Sequence, residues 1–343
     1  MVLRHHVKGG GESSFYPHQI GQSLRLNDDD SAYLSRTPSG AGNRRIWTFS
    51  AWVKRGNLGG VQSLLWTGAG ANSSEYLAFV SDQLSFRWGN GSFYGWDTAA
   101  FYRDPSSWYH FVLSVDTTQV VASDRIKLFV NGVENTALTT GGSGPIPQNT
   151  ETYTNSNQLH ALARRSYTSD SHFDGYLSEV NFIDGQALDA ITFGEFKNGV
   201  WIPKAYEGSY GTNGFHLPFS NGANVGEDFS GSNNHWATNN LAATDVVLDS
   251  PTNNYATIQP LLDLQDYVTY SEGNLKSVTT PGTGWAPRMH TLCNFEPSSG
   301  KWYFEVVGEN ASFGLINPDA NLTQYGAVLQ PNDVRYSSGG SVI

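Results

Sequence analysis

The stretch Trp47-Thr48-Phe49-Ser50-Ala51-Trp52-Val53 alternates: Trp47, Phe49, Ala51 and Val53 fall on one side, with Thr48 and Ser50 among the residues between them. Successive side chains of a strand point to opposite faces, so this pattern spells a half-buried strand. Working outward, strand signals follow closely. Ser23–Leu26 and Ala32–Leu34 flank an acidic turn, Asn27-Asp28-Asp29-Asp30. Downstream come Ser63–Trp66, Tyr76–Phe79, Leu84–Trp88, Trp108–Val115, Ile126–Val130, Gln158–Ala163 and Phe173–Ile183. Two Asn-Gly pairs, Asn90-Gly91 and Asn131-Gly132, sit where tight hairpins are expected. The stretch 141–157 reads as a loose loop, and Leu188–Phe196 is the one place for a short helix. Many strands with regular turns and almost no helix predict an all-β sandwich or barrel.

Composition agrees. Of 343 residues only 15% are charged, which is too few for long solvated helices, while 37 are glycine and 13% aromatic, the residues of turns and strands. The net charge of −11 opposes binding to nucleic acid or to anionic lipid. A single cysteine, Cys293, excludes an intrachain disulfide. No apolar run is long enough to span a bilayer, and Met1–Gly11 lacks the apolar stretch of a secretory signal. The expected location is therefore a cytoplasm until assembly or lysis. The length suits two domains. The expected division is an irregular arm at 1–21, a jelly roll at 22–200, a connector with short strands at 201–262 and a smaller β-rich unit at 263–343.

Three stretches resemble one family: Ser23–Leu34 with Trp47–Arg55, Trp108–Phe111 with Lys127–Val133, and Phe173–Val180. Together they are similar to laminin-G-like, concanavalin A-like domains of the pentraxin type, over about residues 23–200. The resemblance implies an antiparallel jelly-roll sandwich. Further on, Asp228–Trp236 and Asp249–Tyr255 look like a linker of bacteriophage virion proteins, in which a SPRY-like domain follows; Ser299–Val306 resembles the opening strand of such a domain. Its later part is not matched. By resemblance the chain is expected in the virion, assembled in the bacterial host cytoplasm, with other virion proteins as partners.

Catalytic patterns are scarce. Retaining glycoside hydrolysis needs two carboxyls about 5 Å apart, and sandwich hydrolases commonly place them in Glu-x-Asp-x-x-Glu, which does not occur. The nearest acid pairs are Glu179 with Asp184 and Glu305 with Glu309. No nucleophile elbow, zinc motif or phosphate loop is present, and His110 reads as a framework residue. For a ligand, the aromatic run 86–102 stands out. Phe86 and Trp88 share a strand face and are expected to fill the core. Tyr94 and Trp96 are the better candidates for a sugar-stacking surface, with Trp88 as a third; the plainer reading is core or subunit interface. Asp28, Asp29 and Asp30 are the candidate ligands for a hard cation such as Ca2+, against the plainer reading of a solvated turn; Asp228, Asn233 and Asn234 are a weaker cluster of the same kind. Phe15, Tyr16 and Pro17 are the expected anchor of the arm on a partner protein.

These readings predict a non-catalytic virion structural protein, a tail fibre, spike or appendage component that binds host surface polysaccharide. The alternatives are a capsid or tail decoration protein using the fold for protein contacts only, and, disfavoured, a polysaccharide-degrading enzyme. The resemblance to phage appendages, which are commonly homotrimers, implies a homotrimer, and an acidic chain without disulfides gains stability from burying surface between copies.

Overall fold

The computed structural model of the chain describes residues 2–4, 15–260, 268–279, 305–307, 312–315 and 334–337. Two eight-stranded antiparallel sheets form a concanavalin A-like sandwich. The front sheet runs β11 (Val133–Glu134), β10 (Ile126–Val130), β9 (Tyr109–Asp116), β4 (Ile46–Arg55), β14 (Gly175–Asp184), β2 (Ser23–Leu26) and β19 (Val246–Val247), with β17 (Phe215–Leu217) on the C-terminal half of β14. The back sheet runs β12 (Leu138–Gly142), β8 (Phe93–Phe101), β7 (Gln83–Asn90), β6 (Ser73–Val80), β5 (Val61–Gly70), β13 (His160–Leu162), β3 (Tyr33–Arg36) and β18 (Ala237–Asn239). A ribbon of β15 (Gly194–Lys197) and β16 (Val200–Pro203) forms a separate two-stranded sheet. A four-stranded sheet joins β20 (Val268–Ser271), β21 (Lys276–Thr279), β1 (Val2–Arg4) and β22 (Glu305–Val307), and β23 (Ser312–Leu315) pairs with β24 (Val334–Ser337).

The alternation of β4 holds: Trp47, Phe49, Ala51 and Val53 are each at most 1% exposed and enter one core with Leu65, Leu77, Phe79, Leu84 and Phe86 of the back sheet. Burying each large side chain contributes roughly 2–3 kcal/mol. The strand is not half-buried, however. Thr48, Ser50, Trp52 and Lys54 are buried too, because the chain covers the outer face of its own front sheet. Ile20 packs there with Trp52, Trp108 and Tyr176, and Phe193 with Val112 and Ile183. The Lys54 ammonium donates to Asp249 Oδ2, Asn254 Oδ1 and the Tyr255 carbonyl, each at 2.8 Å. The Trp108 indole N–H donates to Asp249 Oδ1 at 3.1 Å. The Asp249–Tyr255 motif is thus the clamp that closes over this face.

Several boundaries differ from the sequence reading. The connector at 201–262 supplies β17, β18 and β19, which hydrogen-bond to β14, β3 and β2 and so belong to both sheets. The arm is not irregular throughout: Val2–Arg4 is a strand between β21 and β22, and Ile20 is 3% exposed. The expected helix at 188–196 is a single 3-10 turn, Ala190–Thr192, followed by β15. The hairpin at Asn131-Gly132 has φ of 48° and 83°, as a two-residue turn with both centres left-handed requires. Of the SPRY-like opening, Glu305–Val307 is a strand; Ser299–Phe304 and Cys293 lie outside the described residues.

Candidate functional site

The hairpin of β7 and β8 decides where the aromatic run points. Its register pairs Phe86 with Trp96 and Trp88 with Tyr94. Directly opposed residues share a sheet face, so all four rings face inward. Trp96 is 7% exposed, lies in the core and sits 5.9 Å from Phe86, so it offers no ring to a ligand. The sequence reading separated Tyr94 and Trp96 from Phe86 and Trp88; the cross-strand register unites them. Trp88 and Tyr94 are half-buried at the open end of this row, 5.8 Å apart, with Tyr153 6.2 Å from Trp88.

The alternate residues of the same strands form the outer face. Register places Trp66, Tyr76, Arg87 and Gly95 in one row across β5, β6, β7 and β8. Trp66 stacks on Tyr76 at 4.2 Å with planes 25° apart. The Arg165 guanidinium lies 4.7 Å over Trp66, and the Tyr167 edge meets Trp66 at 6.2 Å. Trp66 is 4% exposed and backs Tyr76, which is half-buried. Arg87 leans the other way. It donates to the carbonyls of Phe86 (2.9 Å) and Trp96 (2.5 Å) and to Asp97 Oδ2 (2.5 Å). Glycine makes room: a Cβ at Gly141 would meet Arg87 Nη2 at 2.2 Å. Ser85 donates to Asp97 Oδ1. Burial raises the Tyr76 hydroxyl above its ordinary range, and nearby Arg87 opposes this. Sequence reasoning missed this row, although the register of the hairpin, drawn through Gly91, would have exposed it.

The acidic turn does not converge. Asn27 Nδ2 donates to Asp30 Oδ2 at 2.9 Å, Asn57 Nδ2 donates to Asp28 Oδ1 at 3.3 Å, and Asp29 is exposed. Among the described residues no group of three or more His, Cys, Asp or Glu could hold a metal ion. Asp28, Asp29 and Asp30 therefore do not converge as a set of three carboxylates. In the Asp228 cluster, Asp228 accepts the N–H groups of His216, Ser230 and Asn234. Beside Asp28 opens a cleft of about 470 Å³ lined by Asn57, Gly59, Gln62, Ser171 and His172. Asp174 is buried next to Asp28, and burial first, then the Asp28 charge, push it up to about 8.

The arm lies on the chain itself. Phe15 and Pro17 are exposed and Tyr16 half-buried; Phe15 meets Tyr16 edge-on at 5.1 Å, and Lys197 donates to the Phe15 carbonyl at 2.7 Å. His18 stands 3.8 Å and His216 2.8 Å from Glu179 Oε2. Glu179 sits at φ 46° where the register of β14 shifts between Ser178 and Asn181. Burial raises its pKa, but the neighbouring imidazoles of His18 and of hydrogen-bonded His216 outweigh it and hold the carboxyl at about 2.

The polar pairs that resemble chemistry are used for structure. Asp184 accepts from Asn43, Asn155 and Asn213. Ser50 Oγ is 2.9 Å from His110 Nε2, and the Trp201 N–H donates to His110 Nδ1 at 3.1 Å. An indole N–H only donates, so Nδ1 is the acceptor and Nε2 carries the hydrogen. This imidazole therefore donates to Ser50 and cannot take its proton. Burial drives the His110 pKa down to about 3.

The two sheets define an antiparallel β-sandwich of the concanavalin A-like type. Residues 27–190 match a laminin-G-type family model described as the concanavalin A-like lectin/glucanases superfamily, so this segment is similar to domains of that kind. Among solved structures, a candidate carbohydrate-binding protein from Bacteroides ovatus is 15% identical with a TM-score of 0.43; the match covers 68% of this chain and 62% of that one. The heptameric SAP-like pentraxin of Limulus polyphemus is 12% identical with a TM-score of 0.36, over 50% of this chain and 79% of that one. Domain 4 of an extracellular arabinanase from Geobacillus stearothermophilus, in complex with arabinotriose, is 22% identical with a TM-score of 0.36, over 52% and 78%. The comparison with curated proteins returns no match.

Proposed function

We propose that the chain is a non-catalytic structural protein of a tailed bacteriophage particle, a fibre, spike or other appendage component whose lectin-like domain binds host surface glycan. The observation that carries the binding half is the outer row of the back sheet. There Tyr76, braced by Trp66, lies beside the Arg87–Asp97 pair. Aromatic rings stack on the apolar faces of sugars, and a guanidinium–carboxylate pair offers hydroxyls both donors and acceptors. The phage half rests on the resemblance of Asp228–Trp236 and Asp249–Tyr255 to a virion-protein linker.

A glycan array probed with the full chain tests the binding half. Binding to bacterial surface polysaccharides is expected, and a blank array overturns it. Immunogold labelling of purified particles with antibody to the chain tests the phage half. Label on tail appendages is the expected result, and particles without label overturn it. A second reading, a decoration protein making only protein contacts, is favoured by the exposed apolar side chains Val133, Phe196 and Val200, which are 60%, 54% and 49% exposed. Label on the head lattice together with a blank array would select it.

A further inference from the structure

We infer that the outer face of the back sheet seats one uncharged pyranose ring against Tyr76, with two neighbouring hydroxyls taken by Arg87 and Asp97; this rests on the glycan-binding reading above. The row has a step in height. Trp66 and Tyr76 stand stacked at 4.2 Å on one half. On the other half Arg87 lies down, its guanidinium bonded to the Phe86 and Trp96 carbonyls and pressed to Gly141. Gly95 extends this low floor: its φ is 143°, and a Cβ there would meet the Phe86 carbonyl oxygen at 2.0 Å. A flat six-membered ring fits a step of this kind. Its C–H face meets the tyrosine, and its edge reaches the polar floor. Trp66 is 4% exposed, so it fixes the tyrosine plane and touches no ligand.

The charge balance decides the class of sugar. Arg87 is already matched by Asp97 at 2.5 Å and Arg165 by Asp170 at 3.1 Å. A carboxylate or sulfate would find no spare cation here, and the chain carries −11 overall. A hydroxyl pair finds both a donor, the guanidinium, and an acceptor, the Asp97 carboxylate. The fit is to neutral hexose, with a single ring bound weakly because few atoms make contact.

The experiment is saturation-transfer NMR of the full chain with the methyl glycosides of glucose, galactose, mannose and glucuronic acid, read beside the glycan array. A neutral glycoside is expected to bind with a millimolar Kd, on the order of what so small a ligand allows. Tyr76→Ala and Asp97→Asn are each expected to weaken it at least about tenfold, roughly one lost hydrogen-bonded or stacking contact. Unchanged thermal melting of Asp97→Asn, the isosteric variant, shows that the fold is intact. Binding only of glucuronide, or neutral binding indifferent to both substitutions, overturns this inference and leaves the glycan-binding reading standing. Silence from all four glycosides and from the array overturns both.

Discussion

The outer faces of the two sheets are treated in opposite ways. On the front sheet the chain crosses its own surface with the arm around Ile20, the β15–β16 ribbon and the Asp249–Tyr255 clamp, so that Lys54 and His110 are sealed. On the back sheet Tyr76, Arg87 and Asp97 stay half-buried, and the 164–172 loop lies over Trp66 and brings Arg165 and Tyr167 near Tyr76. Lys54 of the front face spends its three bonds on the chain. Arg87 and Asp97 of the back face bond one another and keep an open side. The proposed binding surface lies where the fold leaves part of its own sheet less covered, and the covered sheet supplies the rigidity.

The most severe way to break that contrast is to remove Lys54. Its ammonium is fully buried with Asp249, which is 4% exposed. Lys54→Ala would leave the Asp249 carboxylate buried without its cation, a loss of about 3–5 kcal/mol. The ion pair on the open face is shorter, at 2.5 Å, yet partly solvated. Arg87→Ala is therefore expected to lose less, about 1–3 kcal/mol. Urea unfolding of both variants checks the ranking. Equal losses would mean that the front face is not sealed as described.

The inner face of the back sheet sharpens the comparison from below. Glu75 is 2% exposed, pairs across the sheet with Trp88, and accepts the Tyr153 N–H at 2.9 Å. Burial pushes its pKa up from 4.5 to about 7, against hydrogen bonds from Thr154 and Tyr153. Above pH 4.5 the unfolded chain releases this proton while the folded chain keeps it, so stability falls as pH rises and the loss is complete just above 7. The loss is on the order of 2–3 kcal/mol. Glu75→Gln has no proton to release and is expected to be more stable than the parent at pH 8 by that order, with little difference at pH 4.5. A Gln variant no more stable at pH 8 would contradict the buried acid.

What was legible in the sequence was the sandwich. The alternation of 47–53 and the turns at Gly91 and Gly132 are local signals, and each reappears in the structure. Short strands were expected within 201–262, but their places at 215–217, 237–239 and 246–247 were hidden because two or three residues show no period, and their partners in β14, β3 and β2 are remote in the chain. The candidate site was half legible. Alternation groups residues by face, but Phe86, Trp88, Tyr94 and Trp96 show which face is inside only when the two strands are set in register. Once those four turn inward, Tyr76, Arg87 and Asp97 turn outward. The meeting of His18, His216 and Glu179 left no sequence signal, since it joins the arm, β14 and β17.

That meeting gives the smallest effect and the finest test of the covered face. The neighbouring Glu179 carboxylate raises the His18 pKa from 6.5 against the opposing pull of burial. A raised histidine stabilises fully below 6.5, and the benefit is lost as pH climbs through its folded value. Glu179 is held at about 2 against an ordinary 4.5, so its share is present above 4.5 and disappears as pH falls through 2. The clasp between arm and sheet is therefore strongest between pH 4.5 and 6.5. His18→Ala should lose roughly 0.5–1 kcal/mol in that window, because the pair is partly solvated, and less at pH 8. Amide exchange around Ile20 reports the same event locally, since its N–H donates to Thr252 Oγ1 at 3.0 Å only while the arm is docked. Faster exchange of the Ile20 amide in His18→Ala at pH 5.5, with β4 amides unchanged, is the expected pattern. Uniform acceleration across the sheet would show instead that the arm is part of the core and not a cover laid upon it.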